Sequence, residues 1–214
     1  MLKDFKAWLR RTPEFYALVG LLAAYLLLFF GLDLAVKEPQ FILHSPLDDM
    51  IPFNEWFAVF YFLWFPIFPG SLLAFLLLDK ADFRELCFVV FTGAIISFAA
   101  YIWLPTGLEL RPEMLPRDNF FSRLMQFIWL VDSPRNVCPS LHCSISSAIA
   151  LVACRSRSLR GRVLLKAAVA VLMLLICLST LFVKQHSVLD VFVGVGMSLL
   201  LFCAAEIWRK VKQV

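Results

Sequence analysis

Long apolar stretches dominate the hydropathy pattern of the chain. Five of them reach the roughly 20 residues that an α-helix needs to cross about 30 Å of hydrocarbon, and a sixth is shorter. In chain order, the stretches are Phe15–Leu34, Trp56–Leu78, Leu86–Leu104, Pro139–Cys154 (the short one), Val163–Val183 and Val188–Ile207. Backbone exposed to lipid must satisfy its own hydrogen bonds, and these runs are too continuous for the strands of a barrel. The pattern therefore predicts an all-α fold, an integral membrane bundle of six transmembrane helices.

A second pattern lies in the segment Pro105–Cys138, which separates the third and fourth apolar stretches. Within it, apolar residues recur at spacings of three and four, as on one face of a helix: Phe120, Phe121, Leu124, Phe127, Ile128 and Val131. This spacing predicts an amphipathic helix in the outer loop, lying on the surface of the bundle. Such a helix could cover a site as a lid, or it could simply pack the loop against the bundle.

The flank that precedes the first apolar stretch is basic and contains Phe5, Trp8 and Leu9 at helical spacing. This flank fits a short helix lying in the membrane interface, and it equally fits an ordinary basic flank. A signal peptide also begins with a basic segment, but this apolar run exceeds the usual length of about 7–15 residues, and no small-residue cleavage site follows it. We therefore expect the first stretch to be a retained anchor.

Composition supports a membrane protein over a soluble one. The 214 residues are 61% hydrophobic and 17% charged, with a mean hydropathy of +0.82. Soluble domains are about 45–50% apolar and about 25% charged, so the apolar excess requires a bilayer. The 8 Gly, 11 Pro and 6 Cys residues also exclude a collagen-like repeat and a disulfide-rich scaffold. At this length, we expect residues 1–214 to form a single domain.

Lys and Arg residues are unevenly distributed between the connecting segments. With alternate segments on alternate sides, 14 of the 20 Lys and Arg residues fall on one side and 6 on the other. Because cytoplasmic segments carry the positive excess, both termini and the cluster Arg155–Arg162 are predicted to be cytoplasmic. The extracytoplasmic side then holds Ile51–Glu55, Pro105–Cys138 and the turn around Lys184.

One acidic residue, Asp190, lies near the start of an otherwise apolar stretch. A carboxylate at the centre of a membrane costs about 2.5–3.5 kcal/mol, so Asp190 needs a partner. His186 precedes it by four residues, which on a helix places both side chains on one face. A carboxylate so placed fixes the imidazole tautomer and leaves the other ring nitrogen available as a nucleophile or base. The alternative is a hydrogen-bonded pair that only helps the helices to pack.

A second imidazole, His142, lies at the mouth of the fourth stretch, on the same predicted side. It could act as a general acid, because imidazole exchanges protons near neutral pH. Arg111, Lys184 and the helix start at Ser140 offer a guanidinium, an ammonium and backbone N–H groups, which together suit a phosphate. These residues indicate metal-free phosphoryl transfer at the membrane surface.

Other polar residues of the outer segments have two interpretations. The loop of Arg111 contains three further arginines, which are Arg117, Arg123 and Arg135. Any of these arginines could be a solvated surface charge. Three polar residues of an earlier segment could line an entrance to the site, or they could be ordinary loop residues. They are His44, Asp48 and Asp49.

Three short motifs carry these candidate residues. Pro139-Ser140-Leu141-His142, then Ser179, then Lys184-Gln185-His186 with Asp190 resemble the second and third signature motifs of the type-2 phosphatidic acid phosphatase superfamily, relatives of vanadium haloperoxidases. Arg111-Pro112 resembles the end of the first motif. The six-span layout is also similar to that of the integral-membrane members of the family.

The resemblance implies a role for each matching residue. It implies that His186 attacks phosphorus to form a phosphohistidine and that Asp190 supports this histidine. It further implies that His142 protonates the departing oxygen, and that Arg111 and Ser140 bind phosphate.

The motifs depart from the family pattern at three positions. Leu104 stands where the first motif has Lys, Leu141 where the second usually has Gly, and Thr180 where the third usually has Arg. Two cationic phosphate ligands thus have no direct counterpart, and we expect Lys184 to replace them. This combination resembles the branch that contains inositol phosphorylceramide synthase-like phosphotransferases.

No motif in the sequence indicates a cofactor. Cys138, His142 and Cys143 match no standard zinc spacing, and three ligands do not close a structural site. The chain also has no Gly-rich phosphate loop, dinucleotide fingerprint or Asp-rich calcium loop. We expect no metal, no cofactor and no nucleic-acid partner.

The sequence thus predicts a multi-pass membrane enzyme whose partners are a phosphorylated lipid substrate and the surrounding membrane lipids. We expect it to hydrolyse a lipid phosphate ester or pyrophosphate on the extracytoplasmic side. One alternative is a phosphotransferase that passes the group to an alcohol instead of water. Another is a catalytically silent bundle that only binds lipid.

Overall fold

A computed structural model describes residues 11–36 and 38–211. Within these residues the helices are α1 (Pro13–Ala35), α2 (Pro46–Met50), α3 (Ala58–Leu78), α4 (Lys80–Trp103), α5 (Phe120–Val131), α6 (Leu141–Arg155), α7 (Val163–Phe182) and α8 (Val188–Val211). A 3₁₀ turn, Glu55–Phe57, leads into α3, and two short strands are β1 (Phe41–Ile42) and β2 (Thr106–Gly107). The interfacial helix proposed at Phe5, Trp8 and Leu9 lies outside the described residues.

Five helical segments of the described chain are long and apolar enough to cross a membrane, which fits a multi-pass membrane protein. They are Pro13–Ala35, Glu55–Leu78, Lys80–Trp103, Val163–Phe182 and Val188–Val211. The prediction of an all-α membrane bundle is confirmed at this level, with five of the six expected spans. The remaining stretch forms α6, whose 15 residues rise only about 22 Å, less than the hydrocarbon thickness.

Helix α6 is the centre of the bundle. It packs against α4, α7 and α8, and most of its side chains are buried, including Ile145, Ala148 and Val152. Polar contacts also join it to α8, because the Ser198 hydroxyl donates to the carbonyl oxygen of Ser144 at 2.6 Å. A helix surrounded in this way does not have to face lipid, and this explains why it can be shorter than a full span.

Helix α4 begins six residues before the predicted start at Leu86. The charged residues of this first part suggested a loop, but Asp79 caps the helix by accepting from the N–H groups of Ala81 and Asp82. Asp82 and Glu85 are buried and pair with Arg155 at the end of α6. Ion pairing therefore allows these charges to lie inside the bundle as part of a helix.

A small sheet, absent from the sequence-based prediction, joins three distant segments. Strands β1 and β2 are parallel, with Phe41 opposite Thr106, and Gly107 forms an antiparallel bridge with Arg135. The sheet thereby ties the segment after α1 to the segment after α4 and to the loop before α6. A Cβ at Gly107 would lie 2.7 Å from a Pro39 side-chain carbon, so this crossing of segments needs glycine.

The helix predicted within the outer loop is present as α5. Its N-cap is Asn119, whose side chain accepts from the N–H of Ser122. Met125 and Ile128 are buried on one face, whereas Leu130 on the other face is 86% exposed. The side of the membrane on which α5 lies, and its role as a lid or as loop packing, stay predictions.

Candidate active site

The loop between α7 and α8 carries His186, and the first turn of α8 carries Asp190. Nδ1 of His186 lies 3.0 Å from Oδ2 of Asp190, and both side chains are buried. Because a carboxylate accepts hydrogen bonds, Nδ1–H donates and Nε2 is the ring nitrogen that remains for chemistry. The paired geometry expected from the spacing of four residues is therefore present in the structure.

His142 lies in the first turn of α6, facing His186. The two imidazole centroids are 5.6 Å apart, so both rings can contact one small group placed between them. The His142 ring packs against Trp64 at 4.1 Å and Tyr61 at 4.7 Å, measured between centroids. Its Nε2 is buried and has no hydrogen-bond partner among the described residues. An unpaired buried imidazole nitrogen is costly, and this nitrogen is available to hydrogen-bond a ligand.

A close contact between helix starts brings the two histidines together. The N–H of Ser140 donates to the carbonyl oxygen of Asp190 at 3.2 Å, which joins the first turns of α6 and α8. Gly194 makes this approach possible, because a Cβ there would lie 2.5 Å from the carbonyl oxygen of Ser140. From α4, the Tyr101 hydroxyl donates to the carbonyl oxygen of Pro139 at 2.7 Å and holds the same segment.

The predicted phosphate ligands lie at different distances from this pair. Ser140 is fully buried, and its hydroxyl caps α6 by accepting from the N–H of Cys143 at 3.3 Å. Arg111 donates to the carbonyl oxygens of Trp129 and Asp132, and to Oε1 of Gln185 at 2.6 Å. Arg111 therefore contacts the residue that precedes His186 in the chain, and its hydrogen-bond partners among the described residues are protein oxygens.

Lys184, the expected replacement cation, points towards α2. Its ammonium donates to the carbonyl oxygen of Asp48 at 2.7 Å, and the residue is buried. Burial lowers the pKa of Lys184, while the charges of Asp48 and Asp49 oppose this shift. The observed contacts of Lys184 thus fix the loop that carries His186.

Asp48 is a positioning residue whose role the sequence analysis missed. Its carboxylate accepts from the Ser187 hydroxyl at 2.6 Å and from the N–H of Val188 at 2.8 Å. It also accepts from the N–H of Ser45 at 2.8 Å, which completes the capping box of α2. The start of α8, and with it His186, is therefore held from a segment more than a hundred residues away. The spacing of Ser45 and Asp48 is a capping-box signal that could have indicated the helix, but not the distant contact.

A buried network supports the other side of His186. Tyr61 donates its hydroxyl to Oδ2 of Asp132 at 2.6 Å, and the same oxygen accepts from the Gln185 amide at 3.2 Å. Burial raises the pKa of Asp132, and the Tyr61 hydrogen bond acts in the opposite direction. This network connects α3, the end of α5 and the loop that carries His186.

Two recesses meet at His142. We call the first the histidine cleft; its polar lining includes His142, His186, Tyr101, Asp132, Arg135 and Asn136. We call the second the apolar groove; it has a volume of about 240 Å³ and is lined by Leu22, Leu26, Phe30, Trp64, Phe68 and Ile128, among others. His142, Leu141 and Asp132 line both recesses. Arg111, Ser140 and Lys184 line neither of them.

His186 lies between the spans, and its charge state follows from its surroundings. Burial by itself lowers the pKa of His186, but the charge and hydrogen bond of Asp190 outweigh burial and raise the pKa to about 9. At neutral pH the imidazole is therefore held as an imidazolium, paired with Asp190. The positive charge of the His186 ring favours an anion beside it. The ring can act as a nucleophile only after it has lost a proton.

Within residues 11–36 and 38–211, no group of three or more His, Cys, Asp or Glu side chains is arranged to hold a metal ion. The metal-free reaction itself stays a prediction.

The helical fold and the site together define a class of protein: a membrane protein with a buried imidazole–carboxylate pair that faces a second imidazole. The sequence identifies the family within that class, because the model of the PAP2 superfamily matches residues 84–213. The chain belongs to the PAP2 superfamily, and the resemblance stated from its motifs is confirmed. No curated protein and no solved structure gives a significant match. Members of this superfamily are generally phosphatases or phosphotransferases, which supports an enzyme.

Proposed function

We propose that this protein is a membrane enzyme that removes a phosphate group from a lipid phosphate ester or pyrophosphate. The observation that carries the proposal is the position of His142, which lines both the histidine cleft and the apolar groove. A molecule with a phosphate at one end and a hydrocarbon chain at the other fits two recesses that meet in this way.

The first half of the reaction uses both imidazoles. Nε2 of His186 gives its proton to His142, the imidazole that faces it, and then attacks phosphorus, forming a phosphorus–nitrogen bond while the bond from phosphorus to the lipid oxygen breaks. Protonated His142 donates its proton to that departing oxygen, so the lipid leaves as a neutral alcohol or as a shorter phosphate. Asp190 accepts the hydrogen bond from Nδ1 and stabilises the positive charge that develops on the ring.

The second half of the reaction regenerates the enzyme. Neutral His142 takes a proton from water, whose oxygen attacks phosphorus as the phosphorus–nitrogen bond breaks. Inorganic phosphate leaves, and His186 and His142 return to their starting protonation states. The 5.6 Å between the ring centroids supports a mechanism in which one phosphate group contacts both rings.

A phosphotransferase is the second candidate, and the position of Leu141 favours it. This side chain stands where the resembled motif usually has Gly, and it lines both recesses beside His142. An apolar wall at this point disfavours water and favours an alcohol that carries its own apolar part. The phosphohistidine intermediate is the same in both reactions, so only the acceptor differs.

One experiment separates these possibilities. Purified protein in lipid nanodiscs is supplied with phosphatidic acid, a polyprenyl pyrophosphate, or either lipid together with a diacylglycerol acceptor. Free phosphate supports the phosphatase, and a new phosphorylated lipid supports the phosphotransferase. The absence of both products with every lipid, with no labelled phosphoenzyme after an acid quench, would contradict both and leave a lipid-binding protein.

The orientation of the enzyme is part of the proposal. His142 lies at the first turn of α6 and Arg155 at its last, so the site and the Arg155–Arg162 cluster lie towards opposite ends of that helix. The excess of Lys and Arg near this cluster supports a cytoplasmic location for it and for both termini. We therefore propose that the site faces the extracytoplasmic side.

A further inference from the structure

The described cation that lines the histidine cleft is not one of the phosphate ligands expected from the sequence. Arg111 is engaged by carbonyl oxygens and Gln185, and Lys184 by the carbonyl oxygen of Asp48. Among the described residues that line the histidine cleft, Arg135 is the only Lys or Arg. A phosphate that contacts both imidazoles in this cleft therefore shares the space with the guanidinium of Arg135.

The backbone on both sides of Arg135 is held by strand β2. The N–H of Asn136 donates to the carbonyl oxygen of Thr106 at 2.7 Å. The N–H of Leu108 donates to the carbonyl oxygen of Pro134 at 3.0 Å. The N–H of Cys138 donates to the Thr106 hydroxyl at 3.1 Å. A loop that is fixed in advance loses little entropy when it binds a ligand.

The side chain of Asn136 provides a second, independent sign of a ligand. Asn136 has a φ of 55°, in the left-handed region that non-glycine residues seldom adopt. Its Nδ2 and Oδ1 are both buried, and neither has a hydrogen-bond partner among the described residues. A buried unpaired amide costs free energy, which a ligand that accepts from Nδ2–H would recover.

Asp33, near the end of α1, faces the same guanidinium. Nε of Arg135 donates to the Ser133 hydroxyl oxygen at 3.2 Å, and the Ser133 hydroxyl donates to Oδ1 of Asp33. Nη2 of Arg135 lies 3.9 Å from the same carboxylate oxygen, beyond hydrogen-bond distance. Asp33 thus attracts Arg135 without a direct hydrogen bond, and a phosphate in the cleft competes with it.

We propose that Arg135, assisted by the side-chain Nδ2–H of Asn136, binds the phosphate group that lies between His142 and His186, and that Asp33 restrains Arg135 until phosphate arrives. This inference rests on the proposed function, because it names the residues that hold the phosphate of that reaction. Arg135 makes and breaks no covalent bond; it supplies a positive charge and hydrogen-bond donors.

The test uses inorganic phosphate as the probe, with three variants of the full chain and one control variant in nanodiscs. Arg135→Ala is expected to weaken phosphate binding, measured by calorimetry, by about tenfold to a hundredfold, because hydrogen bonds to a charged group are lost. Arg135→Lys keeps the charge but not the planar fork, so a smaller loss is expected. Asp33→Asn removes the competing charge and is expected to tighten binding several-fold. Arg123→Ala is the matched control, because Arg123 is exposed and pairs with Asp118.

Opposite effects of the Arg135 and Asp33 variants are the decisive result. If Asp33→Asn weakens phosphate binding as Arg135→Ala does, the two residues form a structural clamp and the inference is overturned. Unchanged phosphate affinity in Arg135→Lys and in Asp33→Asn also overturns it, even where Arg135→Ala fails to fold. Calorimetry measures phosphate binding without turnover. If phosphate binding depends on Arg135 but the protein consumes no lipid, the proposed function is refuted and this inference is not. Lipid turnover with Arg135-independent phosphate binding refutes this inference alone.

Discussion

At the scale of single residues, the chemistry depends on how Asp190 sets the charge of His186. Asp190→Asn removes the negative charge that raises the pKa of His186 to about 9, while burial, which lowers the pKa, remains. In the wild type, kcat/KM is expected to fall as the pH rises above about 9, because the two imidazoles then lose the proton that His142 must give to the leaving group. In the variant, this falling limb moves to lower pH and the maximal rate falls about a hundredfold or more. Rate profiles from about pH 5.5 to about pH 10 test this, and superimposable limbs would contradict the pairing.

His142 is expected to matter most when the leaving group is poor. His142→Ala removes the proton donor, so the rate should fall about 10²–10⁴-fold for an alkyl phosphate and much less for a nitrophenyl phosphate. Single-turnover release of the alcohol measures the step directly. Equal slowing with both leaving groups would argue against an acid role and in favour of a packing role against Trp64.

Asp48 offers a test of positioning with a matched neighbour. Asn at position 48 has one acceptor oxygen, so at least one of the donors from Ser187, Val188 and Ser45 would face an NH₂ group. Asp48→Asn is expected to lower kcat about tenfold with little change in KM, because His186 loses its fixed position. Asp49→Asn should have no effect, since that side chain is 66% exposed. Similar kcat values for the two variants would show that Asp48 does not position His186.

The sequence made the central residues recognisable, and the residues around them much less so. His186 and Asp190 are close in the chain, and a carboxylate in an apolar stretch is conspicuous. Arg135 and Asp48 have no such local signal, because each acquires its contacts from segments that are distant in sequence. Arg111 and Lys184 had the expected charge, but carbonyl oxygens that no pattern could reveal now occupy their donors.

At the scale of elements, the approach of α6 to α8 depends on one glycine. Gly194→Ala would place a methyl group 2.5 Å from the Ser140 carbonyl oxygen, which is backbone and cannot rotate away. The helices must separate, so we expect a loss of activity of about tenfold and a lower melting temperature. Gly196→Ala is the control, since nothing lies within 4 Å of its added Cβ and Ala favours a helix over Gly. Thermal unfolding and turnover of the two variants, if equal, would refute the steric explanation.

The helices were predictable because a bilayer demands long apolar runs, and this demand is visible in one sequence. In the first turns of α4, ion pairs allow charged residues to lie inside the bundle. A prediction from apolar runs alone therefore starts this helix too late, at Leu86 instead of Lys80. The strands β1 and β2 were not predictable, since each has two residues and exists only through its partner.

At the scale of the whole molecule, the end opposite the histidines is held by a cluster of charges. Arg155 pairs with Asp82, Glu85 and Glu206, which come from α4 and α8. Arg155→Met would leave the buried carboxylate of Asp82 without its cation, and Glu85 and Glu206 with Arg209 alone, so we expect a loss of about 3 kcal/mol of stability. KM should stay unchanged, because the site lies about 20 Å away along α6. Arg160→Met, at an exposed position, is the control in the same unfolding assay. Equal stability of the two variants would show that the cluster contributes little.

The match to the family begins at residue 84, whereas the α1 and α3 walls of the apolar groove come from residues 22–69. In the proposed function, the reacting residues come from the portion that matches the family, and much of the hydrocarbon contact comes from the portion before it. We expect exchanges among the leucines and phenylalanines of the earlier portion to alter which chain lengths are accepted while the reaction itself is preserved. Selectivity for one amphiphile over another is thus a property that could be redesigned without touching an imidazole.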